Sequence, residues 1–191
     1  GQILKTGGRK PFVGGNLGTP LSRAVEGDFD VAVVEVSSYQ LELPGDFKPQ
    51  LAAILNLTPD HLGRHGTMDV YARTKCEILR RIPSDGLALM PASNSTLVHA
   101  ANEVYDGAML WLGARPGVTR EGTQVFVDLG MQSWHFSLKD FDIPGEHNKE
   151  NAGTAAALCL AFGLSARTIQ EGITQLKGLP HRMEVVLDDS G

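Results

Sequence analysis

The sequence predicts an α/β fold built on a mostly parallel, doubly wound sheet, with a small antiparallel hairpin. Segments that read as strands alternate with segments that read as helices, the pattern of βα units. Three strand segments, VAVVEV (31–36), LAAILNL (51–57) and LALM (87–90), are nearly continuous apolar runs, as strands covered on both faces of a parallel sheet are. Polar residues cluster where the first three strands should end, and ligands of such sheets bind outside the carboxyl ends of the strands.

The elements follow in chain order. Residues 2–6 read as the tail of a helix stopped by Gly7 and Gly8. Residues 10–13 form a short strand running into the turn Gly14-Gly15-Asn16, and 17–25 form a helix. The strands 31–36 and 51–57 come next. Thr67 caps a helix over 68–82, with Asp69 in its first turn. After the strand 87–90 come a helix over 94–104 and a strand over 109–112. The pattern then changes: 124–128 and 133–138 alternate around Gly130 as a hairpin does. Pro144-Gly145 breaks the chain before a long helix of small residues over 148–162, stopped by Gly163. Ser165 caps a helix over 166–176, stopped by Gly178, and residues 183–187 begin a strand.

The net charge of -5 argues against a nucleic-acid-binding surface. No apolar run approaches the roughly 20 residues of a membrane helix, and the N-terminus carries no signal-peptide pattern. Cys76 and Cys159 lie far apart in helical patterns without metal-type spacing, so both are expected as buried free thiols of a cytoplasmic protein.

The candidate site residues stand at the strand ends. Asn16 follows the first strand; Glu35, Ser37, Ser38 and Gln40 end the second; Asn56, Thr58, Asp60 and His61 end the third. Glu35 interrupts an apolar strand, where an ionised carboxylate is costly unless it meets a metal or a cation. With His61 it can hold a divalent ion such as Mg²⁺; the competing reading is a solvated strand end. Tyr71, Lys75, Ile78 and Ile82 are spaced on one helical face, so Lys75 points inward. Lys75 has three readings: it pairs with Glu35 or Asp60, it binds a substrate phosphate, or CO₂ converts it to a carbamate. Asn148 and Asn151 follow PGEH at a helix start and suit a base or a phosphate, or Asn148 is an N-cap. Arg182, after Leu179-Pro180-His181, suits a phosphate, or it is a solvated surface residue. No stretch matches G-x-x-x-x-G-K-[ST] or G-x-G-x-x-G, so these residues contain no standard cradle for a nucleotide triphosphate.

Five blocks in order resemble the Mur ligase family: VGGNLGTPL (13–21), EVSSYQLE (35–42), LNLTPDHLGRHGTMDVYARTK (55–75), IPGEHNKENA (143–152) and GLPHRMEVV (178–186). The first two blocks favour the branch of the family that adds D-glutamate to UDP-N-acetylmuramoyl-L-alanine. The resemblance implies a Rossmann-like central domain over residues 1–180, with 181–191 leading into a C-terminal domain. It implies an amide-bond-forming ligase that cleaves ATP and passes through an acyl phosphate. Glu35 and His61 are then magnesium ligands, Lys75 is the carbamylated lysine, Asn16, Ser37 and Gln40 hold the muramoyl substrate, and Asn148, Asn151 and Arg182 contact ATP.

Two departures stand out. The family's P-loop and its strand should lie just upstream of Gln2, so the sheet is expected to be incomplete there and the 191 residues alone to be inactive. A missing interior strand leaves unpaired edges, which predicts marginal stability or self-association of these residues, the whole ligase being expected as a monomer. Gly63 also stands where the family usually has aspartate. The alternatives are a non-catalytic paralogue that binds a muramoyl nucleotide or a partner protein, and a different amino-acid ligase of the same superfamily.

Overall fold

The structure, a computed structural model, describes residues 1–178. The candidate Arg182, the strand beginning at 183 and the boundary at 180/181 lie outside the described residues. The chain runs α1 (Gln2–Thr6), β1 (Pro11–Gly15), a 3₁₀ turn (Leu21–Glu26), β2 (Val31–Glu35), α2 (Ser38–Leu41), β3 (Leu51–Ala53), α3 (Leu62–His65) and α4 (Met68–Cys76). A second 3₁₀ turn (Leu79–Arg81), β4 (Leu87–Pro91), α5 (Ser95–Asn102) and β5 (Ala108–Leu112) follow, then β6 (Gly117–Glu121), β7 (Gln124–Asp128), β8 (Ser133–Ser137), α6 (Glu146–Ala161) and α7 (Ala166–Thr174).

The strands form two sheets. β1 and β2 pair in parallel, while β3-β4-β5-β6-β7-β8 is a continuous sheet, parallel as far as β6 and antiparallel from β6 to β8. Among the described residues no ladder joins β2 to β3, so each sheet presents a free edge. The sheet is thus interrupted between the second and third strands, as the expectation of an incomplete sheet requires.

The large sheet has helices on both faces. Alternation along β4 decides which core each residue enters: Leu89 faces a cluster with Ile3, Ala156, Ile169 and Phe136, whereas Ala88 and Met90 face one with Tyr71, Cys76, Leu79 and Leu97. The first core is covered by α1, α6 and α7 and the second by α4 and α5. Close approach on the first face is bought with glycine: a Cβ at Gly172 would lie 2.9 Å from Ile3 Cα, and one at Gly153 would lie 3.1 Å from both Val118 and Val125.

Several expectations change. β2 is not covered on both faces: Ala32, Val33 and Glu35 are exposed, because β2 has one strand neighbour and a free edge. The strand over 51–57 shortens to Leu51–Ala53, and the helix over 17–25 is a 3₁₀ turn. The helix over 68–82 is α4 followed by a 3₁₀ turn, with Ile82 still buried on the predicted face. β6, α2 and α3 have no counterpart in the sequence reading. α6 begins at Glu146, so its N-cap is Gly145 and not Asn148. Thr67, Asn94 and Ser165 cap α4, α5 and α7 by accepting from Val70, Leu97 and Thr168 amides. Both cysteines are buried free thiols. No helix among the described residues is long and apolar enough to cross a membrane.

Candidate active site

The site is laid out by the carboxyl ends of β1, β2 and β3. At the end of β1 the chain turns sharply: the Gly15 amide donates to the Thr19 carbonyl at 2.8 Å, and the Asn16 amide donates to the Glu35 carbonyl at 2.8 Å. Only glycine fits here. Gly15 has φ +123°, and a Cβ would sit 2.1 Å from the Glu35 carbonyl oxygen; at Gly14 it would sit 2.0 Å from the Thr19 carbonyl oxygen. These glycines lock Asn16 beside Glu35.

The Glu35 side chain is exposed and makes no ion pair among the described residues. The desolvation argument for a metal there fails, since the strand end is solvated, but the carboxylate is free to take a cation. Ser37 and Gln40 form a capping box that starts α2: the Ser37 amide donates to Gln40 Oε1 at 2.9 Å, and the Gln40 amide donates to Ser37 Oγ at 3.3 Å. The S-x-x-Q spacing is a sequence signature of that box.

His61 sits after β3 with φ 54°, the one non-glycine residue at positive φ among the described residues. That conformation costs roughly 1–2 kcal/mol for an L-residue, offset by the Asp60 carboxylate, which accepts from the His61 amide at 2.7 Å. His61 Nε2 lies 3.4 Å from Asp60 Oδ2, and Nδ1 lies 3.2 Å from the Tyr39 hydroxyl. Strain of this kind concentrates at functional sites.

Lys75 is half-buried. It pairs with neither Glu35 nor Asp60 among the described residues; its ammonium lies 5.0 Å from the centroid of the Tyr71 ring. Tyr71 stacks on His65 at 4.9 Å and meets His61 edge-on at 6.3 Å. Tyr39, His65 and Tyr71 thus pack around His61, although the sequence reading gave none of them a site role. For Tyr71 the signal was present, since it shares the Lys75 face.

Asn148 and Asn151 are not brought to this cluster by any bond among the described residues. The Asn148 amide side chain donates to the Pro144 carbonyl at 2.7 Å and ties the first turn of α6 to the preceding loop. Beside it Lys149 and Arg120 flank Glu146, and hydrogen bonds from Lys149 and then Arg120 lower its carboxyl from the ordinary value. Asn151 is exposed. Gly63 lies in α3 with nothing within 4 Å of a Cβ built there, so an aspartate has room.

No group of three or more His, Cys, Asp or Glu side chains that could hold a metal ion occurs among the described residues. Glu35 and His61 are too few for a resident metal centre. The Glu35 carboxylate is the type of ligand Mg²⁺ takes, since that ion is commonly held by one or two carboxylates and completes its shell with substrate phosphates and water.

The chain matches the model of the Mur ligase middle domain over residues 16–159. It is 38% identical to the UDP-N-acetylmuramoylalanine--D-glutamate ligase of Alkaliphilus oremlandii, over 97% of this chain and 42% of that protein. It is 37% identical to the ligase of the same name from Koribacter versatilis, over 96% of this chain and 42% of that protein. The chain therefore spans about two-fifths of the length of these relatives. In fold it is similar to MurF from Acinetobacter baumannii, with a TM-score of 0.71 at 23% identity, covering 100% of this chain and 45% of that one. It is also similar to MurF from Thermotoga maritima, solved in complex with ADP, with a TM-score of 0.63 at 13% identity over 94% of this chain and 45% of that one. With this match across most of its residues, the chain belongs to the Mur ligase family.

Proposed function

We propose that residues 1–180 are the central ATP-binding domain of a cytoplasmic ligase that adds D-glutamate to UDP-N-acetylmuramoyl-L-alanine during peptidoglycan precursor synthesis. Residues 181–191 lead into its next domain. The observation that carries this reading is the match to the Mur ligase middle domain over residues 16–159; Asn16 bonded to the Glu35 carbonyl at the ends of β1 and β2, and Tyr71 between His61 and Lys75 after β3, support it. The names of the relatives at 37 and 38% identity support the choice of substrate.

On this reading the alanyl carboxylate attacks the γ-phosphorus of ATP, ADP departs, and the product is an acyl phosphate. The amine of D-glutamate then attacks the acyl carbon, phosphate departs, and the nitrogen loses a proton. Asn16, Ser37 and Gln40 hold the muramoyl substrate, and Asn148, Asn151 and Arg182 contact ATP. Glu35 and His61 would hold Mg²⁺, which when bound neutralises charge on the transferring phosphoryl group. Lys75, which has no carboxylate partner among the described residues, first loses its ammonium proton; the neutral amine then adds CO₂ and releases a second proton, so that a cation becomes a carbamate anion beside Tyr71. Because the 191 residues contain no G-x-x-x-x-G-K-[ST] loop, the phosphate cradle comes from residues beyond them, and the 191 residues alone do not ligate.

The test is ATP-dependent incorporation of amino acids into UDP-N-acetylmuramoyl-L-alanine by the full-length protein. D-glutamate should be consumed in preference to L-glutamate, diaminopimelate and D-alanyl-D-alanine, and Lys75→Ala should abolish turnover. Preference for another amino acid would assign a different ligase of the superfamily. Binding of the muramoyl nucleotide without turnover would assign a non-catalytic binding protein.

A further inference from the structure

The candidate residues stand on two bodies that no strand ladder joins among the described residues. Asn16, Glu35, Ser37 and Gln40 belong to the β1–β2 sheet and α2, while His61 and Lys75 follow β3 of the other sheet. Side-chain links bridge the two, among them Tyr39 to His61, Arg64 to Glu42, Arg81 to the Gly45 carbonyl, and Ser38 to His65. The Arg64 side chain is 59% exposed, and exposed ion pairs contribute little.

The link from Ser38 to His65 is of a different kind. The His65 side chain is 3% exposed, and Ser38 is 5% exposed. They are two of only three buried polar residues among the described ones, and they satisfy each other: His65 Nε2 lies 3.0 Å from Ser38 Oγ. The imidazole stacks on Tyr71 at 4.9 Å with 16° between planes, and lies 5.9 Å from Tyr39 at 27°. Glu42 Oε1 is the charged group nearest its other nitrogen, 3.9 Å from Nδ1. Tyr71 in turn carries the Lys75 ammonium. Ser38, His65, Tyr71 and Lys75 thus form one continuous series across the break between the sheets.

We infer that His65 is a positioning residue of the ligase site: through Ser38 it fixes the Glu35-bearing strand end against the wall that carries His61 and Lys75. This rests on the ligase reading above. Where no backbone ladder sets a spacing, a buried side-chain bond must, and a misplacement of about 1 Å can cost on the order of 10²-fold in rate.

The test uses the full-length ligase with His65→Phe, Ser38→Ala and the double variant. His65→Phe keeps a ring between Tyr39 and Tyr71 but leaves the Ser38 hydroxyl buried without a partner, so both Tm and kcat should fall, kcat by about 10–100-fold. In the double variant no polar group is left unpaired, so Tm should return towards wild type while kcat stays low and KM for the amino acid is little changed. Recovery of kcat together with Tm would make His65 a stability residue only and overturn the inference. So would an undiminished kcat in His65→Phe. Lys75→Ala separates the two readings: if it abolishes turnover while the His65 variants leave kcat undiminished, the ligase reading stands and the positioning role falls. If the wild-type protein does not ligate, both fall.

Discussion

Gly15→Ala should damage the site through the backbone alone, without touching a functional side chain. The added Cβ would lie 2.1 Å from the Glu35 carbonyl oxygen and 2.9 Å from the Glu35 nitrogen. Those atoms are backbone and cannot swing aside, so β1 and β2 must part at their carboxyl ends. An alanine at φ +123° also costs roughly 1–3 kcal/mol in strain. The two 2.8 Å bonds of this turn, from the Gly15 and Asn16 amides, contribute roughly 0.5–1.5 kcal/mol each and would lengthen or break. A loss of about 2–4 kcal/mol follows, which at about 2–4 °C per kcal/mol lowers Tm by roughly 5–15 °C. Gly18→Ala is the control: Gly18 has φ +74° but nothing within 4 Å of its Cβ, so it pays strain without a clash, about 1–2 kcal/mol. Thermal unfolding of both variants, with hydrogen exchange at the Asn16 amide, measures the difference. Equal Tm values for the two, or retained protection at Asn16 in Gly15→Ala, would refute the claim that close approach of the strands requires this glycine.

Gly172→Val should cost about 1–3 kcal/mol, since its Cβ meets the backbone of Ile3 at 2.9 Å and α1 must move off α7; chemical denaturation reads it, and an unchanged midpoint would count against that packing. Gly63→Asp should leave stability, read by thermal unfolding, within about 1 kcal/mol of wild type and turnover intact, because the position is open and helical; a large loss of either would show that Gly63 shapes the turn after His61. Burial pushes the Cys76 thiol up to about 11 from its ordinary value. A raised acid is protonated and fully stabilising below its unfolded value, and that stability is lost as pH rises towards 11. Cys76 should therefore resist a thiol reagent at pH 8 in the native protein and react on unfolding, and rapid native labelling would contradict its burial.

Much of the large sheet was legible because its physics is local. LALM alternates between two cores, and a residue buried on either face must be apolar, so the sequence carries the sheet's two-sidedness directly. Thr67 and Ser165 are cap residues whose roles depend on the next three residues only. The misses have a common cause. β6 reads GVTRE, whose burial depends on pairing with β5 and β7, and no local signal specifies those partners. α2 and α3 are single turns of four residues, too short for a hydrophobic period to show. The αL backbone of His61 has no sequence signature either, because the residue there is not glycine.

β2 and β4 show where such reasoning stops. VAVVE and LALMP carry the same message, an apolar run expected to be covered on both faces. In β4 the run is covered, with Ala88, Leu89 and Met90 at 0% exposure; in β2 Val33 is 37% exposed. Composition cannot separate them, since the difference is one of neighbours: β4 lies between β3 and β5, whereas β2 has β1 alone. The same difference gives the site its character. A ladder fixes each half internally, Asn16 to Glu35 on one side and the end of β3 to β4 on the other. Between the halves only side chains act. Substitutions within either half should therefore change folding and rate together, whereas in the crossing pair the double variant of Ser38→Ala with His65→Phe should separate the two.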